Sequence, residues 1–579
     1  MSVWKRIRPV FLTSRTSKDS SPSDASPDRP WFEPKEISLP EVTISAFTET
    51  GQPESSIVVP LQRAYTGRWP VISSHLADTP CATLGIQGLL DQLNTTLGTS
   101  YTLTRSLSSL LKECIASNYD FGMVYGRLRR IWYTRHWSTI RDTLRKWEKE
   151  DRKMRRKALV GNRIVEPSLP PRRVWDLYSN RVVPWWCTGI PAYNWRLRLT
   201  PISHAWVDET DRVSVSTPIN EYEWPVPLPK DASLKLIRIE ILNINLGVEY
   251  AWLDVLCLRQ VGGQREEMRV EEWKLDVPTI GNVYRSSSVV IYLSGLGRPL
   301  SLKDGDLESD RSWFRRAWTL QEVGIYRTIA GDTLDGPMHA KPMDEDGKYE
   351  TELLTRFHSQ LHSVGFYPSA VFTALKIMGN RVSTNPVDKV AGLAFVLGSN
   401  PIPAYYESES LEDAWTALVN SMVAWRRSVL FLYPEPGNAG TKWRPSWDQL
   451  MTKPLSAGGM FQIDINRNEE MNEDWCYTEC IEKVLVRGLA VVEGSDRRGE
   501  LIVKDAGGTE HAFNITATHK YPIPDDTYTL FCTDSSPYCI VGRRLPGKRF
   551  EKVSLLKILN EEKHWWFMYN SEMCRYILV

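Results

Sequence analysis

The stretch from Tyr250 to Leu258 places the strongest constraint on the fold of this chain. It reads Tyr-Ala-Trp-Leu-Asp-Val-Leu-Cys-Leu, an almost unbroken apolar run. A run of this kind predicts a strand that is buried on both faces, as in a parallel sheet. Asp254 interrupts the run, and a carboxylate inside an apolar strand is destabilising unless it is paired or protonated. We therefore expect Asp254 to have a partner at a strand end or to belong to a functional site.

The segments around this run alternate between strand patterns and helix patterns. Strands are predicted over residues 200–207 and 289–293, and helices over residues 234–244 and 267–286. Pro278 must kink or split the second of these helices. The order strand, helix, strand, helix, strand favours a parallel sheet with crossover connections. Ligands bind such sheets beyond the carboxyl ends of the strands.

A further helix is predicted over residues 311–326, after the third strand. Trp313 and Trp318 fall on its broad aromatic face, whereas Thr319 and Glu322 share a polar stripe. The aromatic face must pack on another element, and we expect that element to be the sheet.

Composition narrows the class of protein. The chain has 579 residues, of which 42% are hydrophobic and 24% are charged, so a globular protein is expected. The formal net charge is +1, which gives no reason to expect a nucleic-acid partner or an anionic membrane. No apolar run reaches the roughly 18 residues of a membrane span. The nine cysteines and the absence of an apolar signal segment favour reduced thiols in an intracellular, cytoplasmic protein.

The sequence divides into five predicted parts. Residues 1–30 are rich in Ser, Pro and charged residues, which predicts a disordered tail. Residues 31–198 are predicted to be mostly helical, and residues 199–330 to form the α/β core. Residues 331–455 are predicted to be helical and to complete or flank the core, and short β-rich runs predict a small β module over residues 475–579.

Two other kinds of site are disfavoured by the spacing of their residues. Residues 127–157 are strongly basic, but their aromatic and aliphatic residues fall on one helical stripe, which predicts a solvated helix and no nucleic-acid surface. Cys476, Cys480, Cys532 and Cys539 lack the tight pairing that is usual for zinc, so no metal site is predicted. The phosphate-binding glycine loops of known nucleotide-binding motifs are absent from the sequence.

Four motifs follow one another through the predicted core. They are Ile202-Ser-His-Ala-Trp206, Trp252-Leu-Asp-Val-Leu-Cys-Leu-Arg-Gln260, Ile280-Gly-Asn-Val-Tyr-Arg-Ser-Ser-Ser288 and Arg316-Ala-Trp-Thr-Leu-Gln-Glu322. In this order and spacing they resemble the fungal heterokaryon-incompatibility (HET) domain, whose patterns include W-x-D-x-x-C-[IL]-x-Q and R-x-W-T-x-Q-E. The first motif departs from the family's usual Ser-Tyr-Cys-Trp-Gly form, with His204, Ala205 and Val207 in its place.

The resemblance implies both a fold and a function. It implies an α/β protein with a flavodoxin-like or TIR-like parallel-sheet core, beside which the residue patterns predict helical flanking regions and the small C-terminal β module. It implies a role in non-self recognition and regulated, programmed cell death. Some TIR domains cleave NAD, so the likeness of fold makes NAD a candidate substrate, whereas no resident cofactor is expected.

If the domain cleaves the nicotinamide–ribose bond, a carboxylate must stabilise the oxocarbenium charge of the transition state. Glu322 is the first candidate and Asp254 the second, with His204 to orient a group or exchange a proton. Arg316 and Arg285 are candidates to hold phosphate, and Trp206 and Gln260 complete the set predicted to bind NAD. For Glu322 an exposed helix-surface acid is an equally good interpretation, and for Asp254 and His204 a structural role is favoured.

Two alternatives stay open. A hydrolase-like set would use Cys257 as nucleophile with His204 and Asp254, although a thiol inside an apolar strand is usually inert. The non-enzymatic alternative is an interaction module, in which the strand ends and tryptophans bind a protein partner or a second copy. In that case assembly is itself the signal.

Overall fold

A computed structural model describes residues 42–59, 63–65, 69–133, 137–244, 248–285, 288–364, 370–453, 463–490, 497–505, 507–517, 519, 521–532, 537–559 and 571–579. The predicted disordered tail, residues 1–30, lies outside these ranges. The chain has a mixed α/β fold with several sheets and a β-rich C-terminal region, which confirms the predicted class at this level.

The N-terminal region contributes both helices and strands. Its helices are α1 (Ala46–Thr50), α2 (Ser74–Ala77), α3 (Cys81–Leu97), α4 (Arg105–Ala116), α5 (Phe121–Leu128) and α6 (Ile140–Ala158). Its strands are β1 (Val42–Ile44), β2 (Arg63–Tyr65), β3 (Leu159–Val160), β4 (Arg163–Ile164), β5 (Arg173–Asp176) and β6 (Arg181–Pro184). The last two strands join the central sheet, so that sheet extends beyond the predicted core of residues 199–330.

The central region supplies the rest of that sheet. Its elements are β7 (Leu199–His204), β8 (Arg212–Val215), β9 (Val226–Pro229), α7 (Leu234–Ile244), β10 (Tyr250–Leu253), α8 (Asp254–Cys257), α9 (Glu266–Asp276), α10 (Ile280–Tyr284), β11 (Ser288–Tyr292) and β12 (Tyr326–Ile329). The helix predicted over residues 234–244 is confirmed, and the next predicted helix is split into α9 and α10 on either side of Pro278, as expected.

The six strands of the central sheet lie in the order β12-β11-β7-β10-β5-β6. The first four are mutually parallel, but β10 and β5 are antiparallel, as are β5 and β6. The prediction of parallel strands is therefore right for β7, β10 and β11, and the antiparallel extension was not anticipated. All four residues of β10 are buried, because β10 has a strand on each side and side chains packed on both faces.

The strand predicted from Tyr250 to Leu258 is wrong in its second half. It ends at Leu253, and Asp254–Cys257 form the short helix α8. The Asp254 carboxylate accepts the backbone N–H of Val255 at 2.8 Å, and the Asp254 carbonyl accepts that of Leu258 at 2.9 Å. These are the hydrogen bonds of a helical turn and not those of paired β-strands. Asp254 therefore lies at the end of an interior strand, where its side chain leaves the apolar layer.

The helix predicted over residues 311–326 is also wrong. Trp313–Arg315 and Trp318–Leu320 form two separate 3-10 turns, and the strand β12 begins at Tyr326. Arg316 is extended between the turns, with φ −76° and ψ 140°. The Ala317 N–H donates to the Val382 carbonyl, and the Val382 N–H donates to the Arg315 carbonyl. This pairing with a distant segment uses the backbone groups that a continuous helix would need.

The two C-terminal regions agree with the predicted order of helices and then strands. The helical region contains α11 (Glu352–Ser363), α12 (Val371–Gly379), α13 (Val387–Val396), α14 (Leu411–Ser421), α15 (Ala424–Phe431), α16 (Trp447–Thr452) and the short strand β13 (Ile402–Pro403). The β-rich module contains β14 (Ile465–Asn468), β15 (Glu473–Arg487), β16 (Arg497–Lys504), β17 (Glu510–Ala517), β18 (Asp526–Phe531), β19 (Tyr538–Leu545), β20 (Arg549–Ile558) and β21 (Glu572–Leu578). These eight strands form one sheet.

The β-rich module packs against the helical region through buried polar contacts. The Lys552 ammonium donates to the Phe431 carbonyl at 2.7 Å, just at the end of α15. The Trp443 indole N–H donates to the Asp474 carboxylate at 3.0 Å. Burial holds the pKa of Lys552 well below its ordinary value, so its contribution here is as a hydrogen-bond donor to the end of the helix. The two regions therefore share a fixed interface.

Two predictions about the whole chain concern its cysteines and its lack of a membrane span. Cys532 and Cys539 form a disulfide, so the prediction that every cysteine is a reduced thiol is wrong for this pair, while seven other cysteines are free. The bond also removes two of the four thiols considered for a metal site. Within the described ranges, every helix is too short or too polar to cross a membrane.

Candidate functional site

The carboxyl edge of the parallel strands brings together residues from three motifs. Strand β7 ends with Ser203 and His204, and β10 is followed directly by Asp254. In the register of the two strands, Leu253 lies opposite Ile202, so β10 ends two residues before β7 and Asp254 follows at the same edge of the sheet. Glu322 reaches the same edge from the segment between the second 3-10 turn and β12.

The buried ring of His204 pairs with the half-buried carboxylate of Asp254. The His204 Nε2 lies 3.0 Å from the Asp254 Oδ1, and the His204 Nδ1 lies 3.2 Å from the Ala205 carbonyl oxygen. Because both ring nitrogens face acceptors, an imidazolium satisfies both contacts by donating twice. Burial opposes the positive charge, but the charge and hydrogen bond of Asp254 raise the pKa of His204 above its ordinary value. His204 is therefore arranged to orient Asp254 through this contact.

Glu322 is held by a chain of two hydrogen bonds. The Trp313 indole N–H donates to the Ser203 hydroxyl at 2.8 Å. An indole nitrogen can only donate, so the Ser203 hydroxyl must direct its own proton elsewhere. That proton is donated to the Glu322 Oε2, 2.5 Å away. Ser203 and Trp313 are almost completely buried, which fixes the direction of the chain and leaves the second oxygen of Glu322 for another partner.

The carboxyl of Glu322 is electrostatically unlike that of Asp254. Burial raises the pKa of Glu322 to about 7, the Ser203 hydrogen bond lowers it, and the charge of Asp254 raises it further. His204 and Arg316 act in the lowering direction. A carboxyl with a pKa near 7 exchanges protons readily at neutral pH, and its neighbour is an ion-paired carboxylate. The site thus contains a carboxyl suited to proton exchange, Glu322, beside a second carboxyl that contacts His204.

Positive groups complete the site. The Arg316 guanidinium is half-buried, and among the described residues it forms no ion pair, although Asp388, Glu322 and Asp254 lie within electrostatic reach. Burial lowers the pKa of Arg316 below its ordinary value. Beneath it, Arg381 donates to the Thr319 hydroxyl at 2.7 Å and to the Arg316 carbonyl. These hydrogen bonds from Arg381 hold the backbone at Arg316 in place.

The predicted site residues are only partly assembled. Glu322, Asp254, His204 and Arg316 share the site, and the Trp206 ring lies 5.4 Å from the His204 ring. Predicting Glu322 as the outer face of a helix was wrong, because its segment is not helical.

Gln260 and Arg285 do not contribute as predicted. The Gln260 amide donates to the Leu258 carbonyl at 2.9 Å and to the Asp254 carbonyl at 3.3 Å, so it supports the backbone of the turn. Arg285 is exposed at the end of α10, with its guanidinium 5.8 Å from the Phe395 ring centre. It precedes the N-terminal end of β11, which is the opposite edge of the sheet from Asp254.

Several contributing residues were not predicted. Ser203 and Trp313 hold Glu322, Arg212 stands over the Trp206 ring at 5.2 Å, and Tyr284 donates to the Ile202 carbonyl at 2.9 Å below the site. Ser203 lies in the first motif, directly before His204. This position was the one indication in the sequence that Ser203 contributes to the site. Tyr284 lies in the third motif and Trp313 on the predicted aromatic face, but neither pattern indicated these contacts, and Arg212 lies outside all four motifs.

The alternative with Cys257 as nucleophile gains no support from its surroundings. Cys257 is buried in α8, and burial raises the pKa of its thiol to about 12. Such a thiol carries almost no thiolate at neutral pH. In the part of the chain that the structure describes, no group of three or more His, Cys, Asp and Glu side chains is arranged to hold a metal ion.

Comparison of the chain with protein-family models, with curated proteins and with solved structures finds no match.

Proposed function

We propose that this chain is a protein of the heterokaryon-incompatibility type, which signals regulated cell death through a TIR-like, flavodoxin-like α/β core. The order of the four parallel strands supports the fold. Numbered along the chain, β7, β10, β11 and β12 lie in the order 2-1-3-4, which matches the first four strands of the flavodoxin-like order 2-1-3-4-5, while the antiparallel β5 and β6 extend the sheet beyond β10. The site occupies the carboxyl edge, beside the strand where the order reverses, and ligands of such sheets bind there.

The proposed activity is hydrolysis of NAD at the nicotinamide–ribose bond. The bond between the ribose C1′ and the nicotinamide nitrogen breaks, and its electron pair neutralises the pyridinium ring. Water adds to C1′, and the proton that it releases passes to Glu322 and then to solvent. The products are nicotinamide, ADP-ribose and one proton. No acid is needed for the leaving group, because nicotinamide leaves as a neutral molecule.

The observation that carries this proposal is the pairing of two unlike carboxyls at the carboxyl edge. Ionised Asp254 and Glu322 both stabilise positive charge at C1′ in the transition state. The cationic nicotinamide ring itself favours the ionised form of Glu322 once the substrate is bound. Since burial raises the pKa of Glu322 to about 7 in the free protein, turnover of dilute NAD should rise with pH through that value.

The test is a turnover assay with full-length protein and NAD, dilute and also clustered through a fused oligomerising tag. Wild-type protein should release nicotinamide and ADP-ribose, and Glu322→Gln should be slower by about 100-fold or more. Glu345→Gln removes an exposed carboxylate far along the chain and serves as the matched control. Wild-type protein that kills fungal cells while NAD stays intact would contradict the proposed activity.

The second candidate function is a non-enzymatic module that signals by self-assembly. The observation in its favour is at the edge strand β12, where Ile325 and Tyr326 are 74% and 67% exposed. An edge strand with exposed apolar residues can pair with another chain. Here Ile325→Lys should abolish assembly and killing, whereas Glu322→Gln should leave both intact. If chemistry is the signal, Glu322→Gln abolishes killing while assembly persists.

A further inference from the structure

We infer that Arg381 is a positioning residue for Glu322, because it joins the two 3-10 turns on either side of Arg316 through the Thr319 hydroxyl. The inference deepens the proposed function and rests on it for the reaction step. Arg381 lies in the helical region, between α12 and α13, so the inference makes that region part of the site.

The carboxyl of Glu322 is held from two directions. Trp313, in the first turn, reaches it through Ser203, whereas Glu322 itself follows the second turn by two residues. Backbone hydrogen bonds close each turn separately, from Arg316 to Trp313 and from Gln321 to the residue that begins the second turn. The geometry between the turns must therefore be fixed by other contacts.

The Thr319 hydroxyl connects the two turns. It lies 2.6 Å from the Trp313 carbonyl oxygen and 2.9 Å from the Arg316 carbonyl oxygen, so it can donate its one proton to either. It accepts from the Arg381 Nη1 at 2.7 Å, and the same nitrogen donates to the Arg316 carbonyl. Thr319 and Arg381 are only 2% and 8% exposed, so water competes little for these hydrogen bonds.

The backbone beside Arg381 binds the same segment. The Val382 N–H donates to the Arg315 carbonyl at 2.7 Å, and the Ala317 N–H donates to the Val382 carbonyl at 2.9 Å. The Arg381 N–H donates to the carbonyl of buried Met378, in the last turn of α12, at 3.0 Å. The guanidinium therefore reaches the hydroxyl between the turns from the end of a packed helix.

The charge of Arg381 also concerns Glu322. Among the described residues, the Arg381 guanidinium donates to a hydroxyl and a carbonyl, forms no ion pair, and leaves its buried Nε without a partner. Burial lowers the pKa of Arg381 to about 10, so the group keeps its charge at neutral pH. A buried cation without a carboxylate partner is costly as a packing device. Ionised Glu322 offsets part of this cost, since its charge raises the pKa of Arg381.

The first experiment compares Thr319→Val with Thr319→Ser in full-length protein turning over NAD. Valine has nearly the shape of threonine but no hydroxyl, whereas serine keeps the hydroxyl. Thr319→Val should lower kcat by about 10-fold or more with little change in KM, because it misplaces a reacting carboxyl and leaves substrate contacts alone. Thr319→Ser should keep most of the wild-type kcat. Equal losses in the two variants, or wild-type kcat in Thr319→Val, would overturn the inference.

The second experiment tests whether Arg381 acts through Glu322. Arg381→Met should also lower kcat by about 10-fold or more, but it should cause no further loss in a Glu322→Gln background. Additive losses would show that Arg381 serves another step and would overturn the positioning role. Arg498→Gln removes an exposed arginine of the β-rich module and should turn over NAD like wild type. If Arg381→Met does not fold, the Thr319 pair decides.

A third measurement needs no substrate. It follows the difference in unfolding free energy between Glu322 and Glu322→Gln proteins as the pH rises from about 4.5 to about 8. In Thr319→Val the change in this difference should shrink by about twofold or more, because a released Glu322 gains water and titrates nearer its ordinary pKa. An equal or larger change would overturn the inference.

Thr319→Val alters none of the ionisable groups that act on Glu322. These groups are Asp254, His204, Arg316, Tyr284 and Arg381. A shift in the titration of Glu322 therefore reports its position and not a lost charge.

The two proposals can fail separately. A smaller pH-dependent difference in Thr319→Val, without turnover of NAD by wild-type protein, keeps the positioning role and removes hydrolysis. NAD turnover that depends on Glu322 but is unchanged in Thr319→Val and Arg381→Met keeps hydrolysis and removes the positioning role.

Discussion

Replacing Glu322 with Gln should stabilise the protein at alkaline pH and have a much smaller effect at acidic pH. Burial raises the pKa of Glu322 from 4.5 to about 7. Between these values the folded protein keeps a proton that the unfolded chain releases, so the free energy of unfolding falls as the pH rises. Above pH 7 the folded protein carries the full cost of a buried charge. Glutamine carries no charge, and its amide oxygen still accepts from Ser203.

The magnitude follows from the pKa itself. Each tenfold change in proton affinity corresponds to about 1.4 kcal/mol, so the rise in pKa gives about 3 kcal/mol as an upper value. Glu322 is half-buried, and solvent screening reduces this energy. We expect Glu322→Gln to gain about 1–3 kcal/mol relative to wild type when the pH is raised from about 4.5 to about 8.

The assay is urea unfolding followed by tryptophan fluorescence, with wild type and variant measured side by side at each pH. Glu345→Gln controls for the loss of one negative charge at an exposed position. A stability difference between Glu322→Gln and wild type that does not change with pH would refute the reasoning, since it would mean that Glu322 titrates alike in the folded and unfolded chain.

Three further predictions concern other parts of the structure. Ser203→Ala removes a hydrogen bond to the charged form of Glu322 and should raise the pKa of Glu322 further, seen as a shift of the same pH-dependent stability difference to higher pH; an unchanged pH dependence would mean that Ser203 does not stabilise the charged form. Gly281→Ala places a Cβ within 2.5 Å of an aromatic ring carbon and should lower the free energy of unfolding by about 1–3 kcal/mol in denaturant titration; an unchanged value would mean that the neighbouring ring moves freely. Replacing both Cys532 and Cys539 with Ser removes a cross-link over a sequence separation of 7 and should destabilise the β-rich module by about 2–3 kcal/mol, measured by hydrogen exchange of its strands.

Local patterns determined much of the fold. The apolar run that starts at Tyr250 predicted an interior strand, because only a strand with neighbours on both sides can bury every residue. Helix α7 was predicted at its observed bounds by the spacing of its apolar residues, and Pro278 separates α9 from α10 because proline lacks the N–H that a helix needs. These features depend on neighbours in the sequence.

The segment around Glu322 shows what local patterns cannot determine. Its aromatic spacing is that of a helix, but the backbone of Arg315 and Ala317 bonds to Val382, more than 60 residues away. A periodic pattern carries no information about such a partner. The extended conformation that results brings the Glu322 carboxyl to the Ser203 hydroxyl.

The sequence by itself singled out Asp254, His204, Glu322 and Arg316 as candidate site residues, since they stand out by type and motif. Only the tertiary structure decided that they meet, that Arg285 lies at the other edge, and that Arg212 stands beside Trp206. The physical reason is that strand order and hairpin position arise from long-range packing. The same packing buries Glu322, and burial raises the pKa of its carboxyl to about 7. That value is set by the surroundings of Glu322 and not by its residue type.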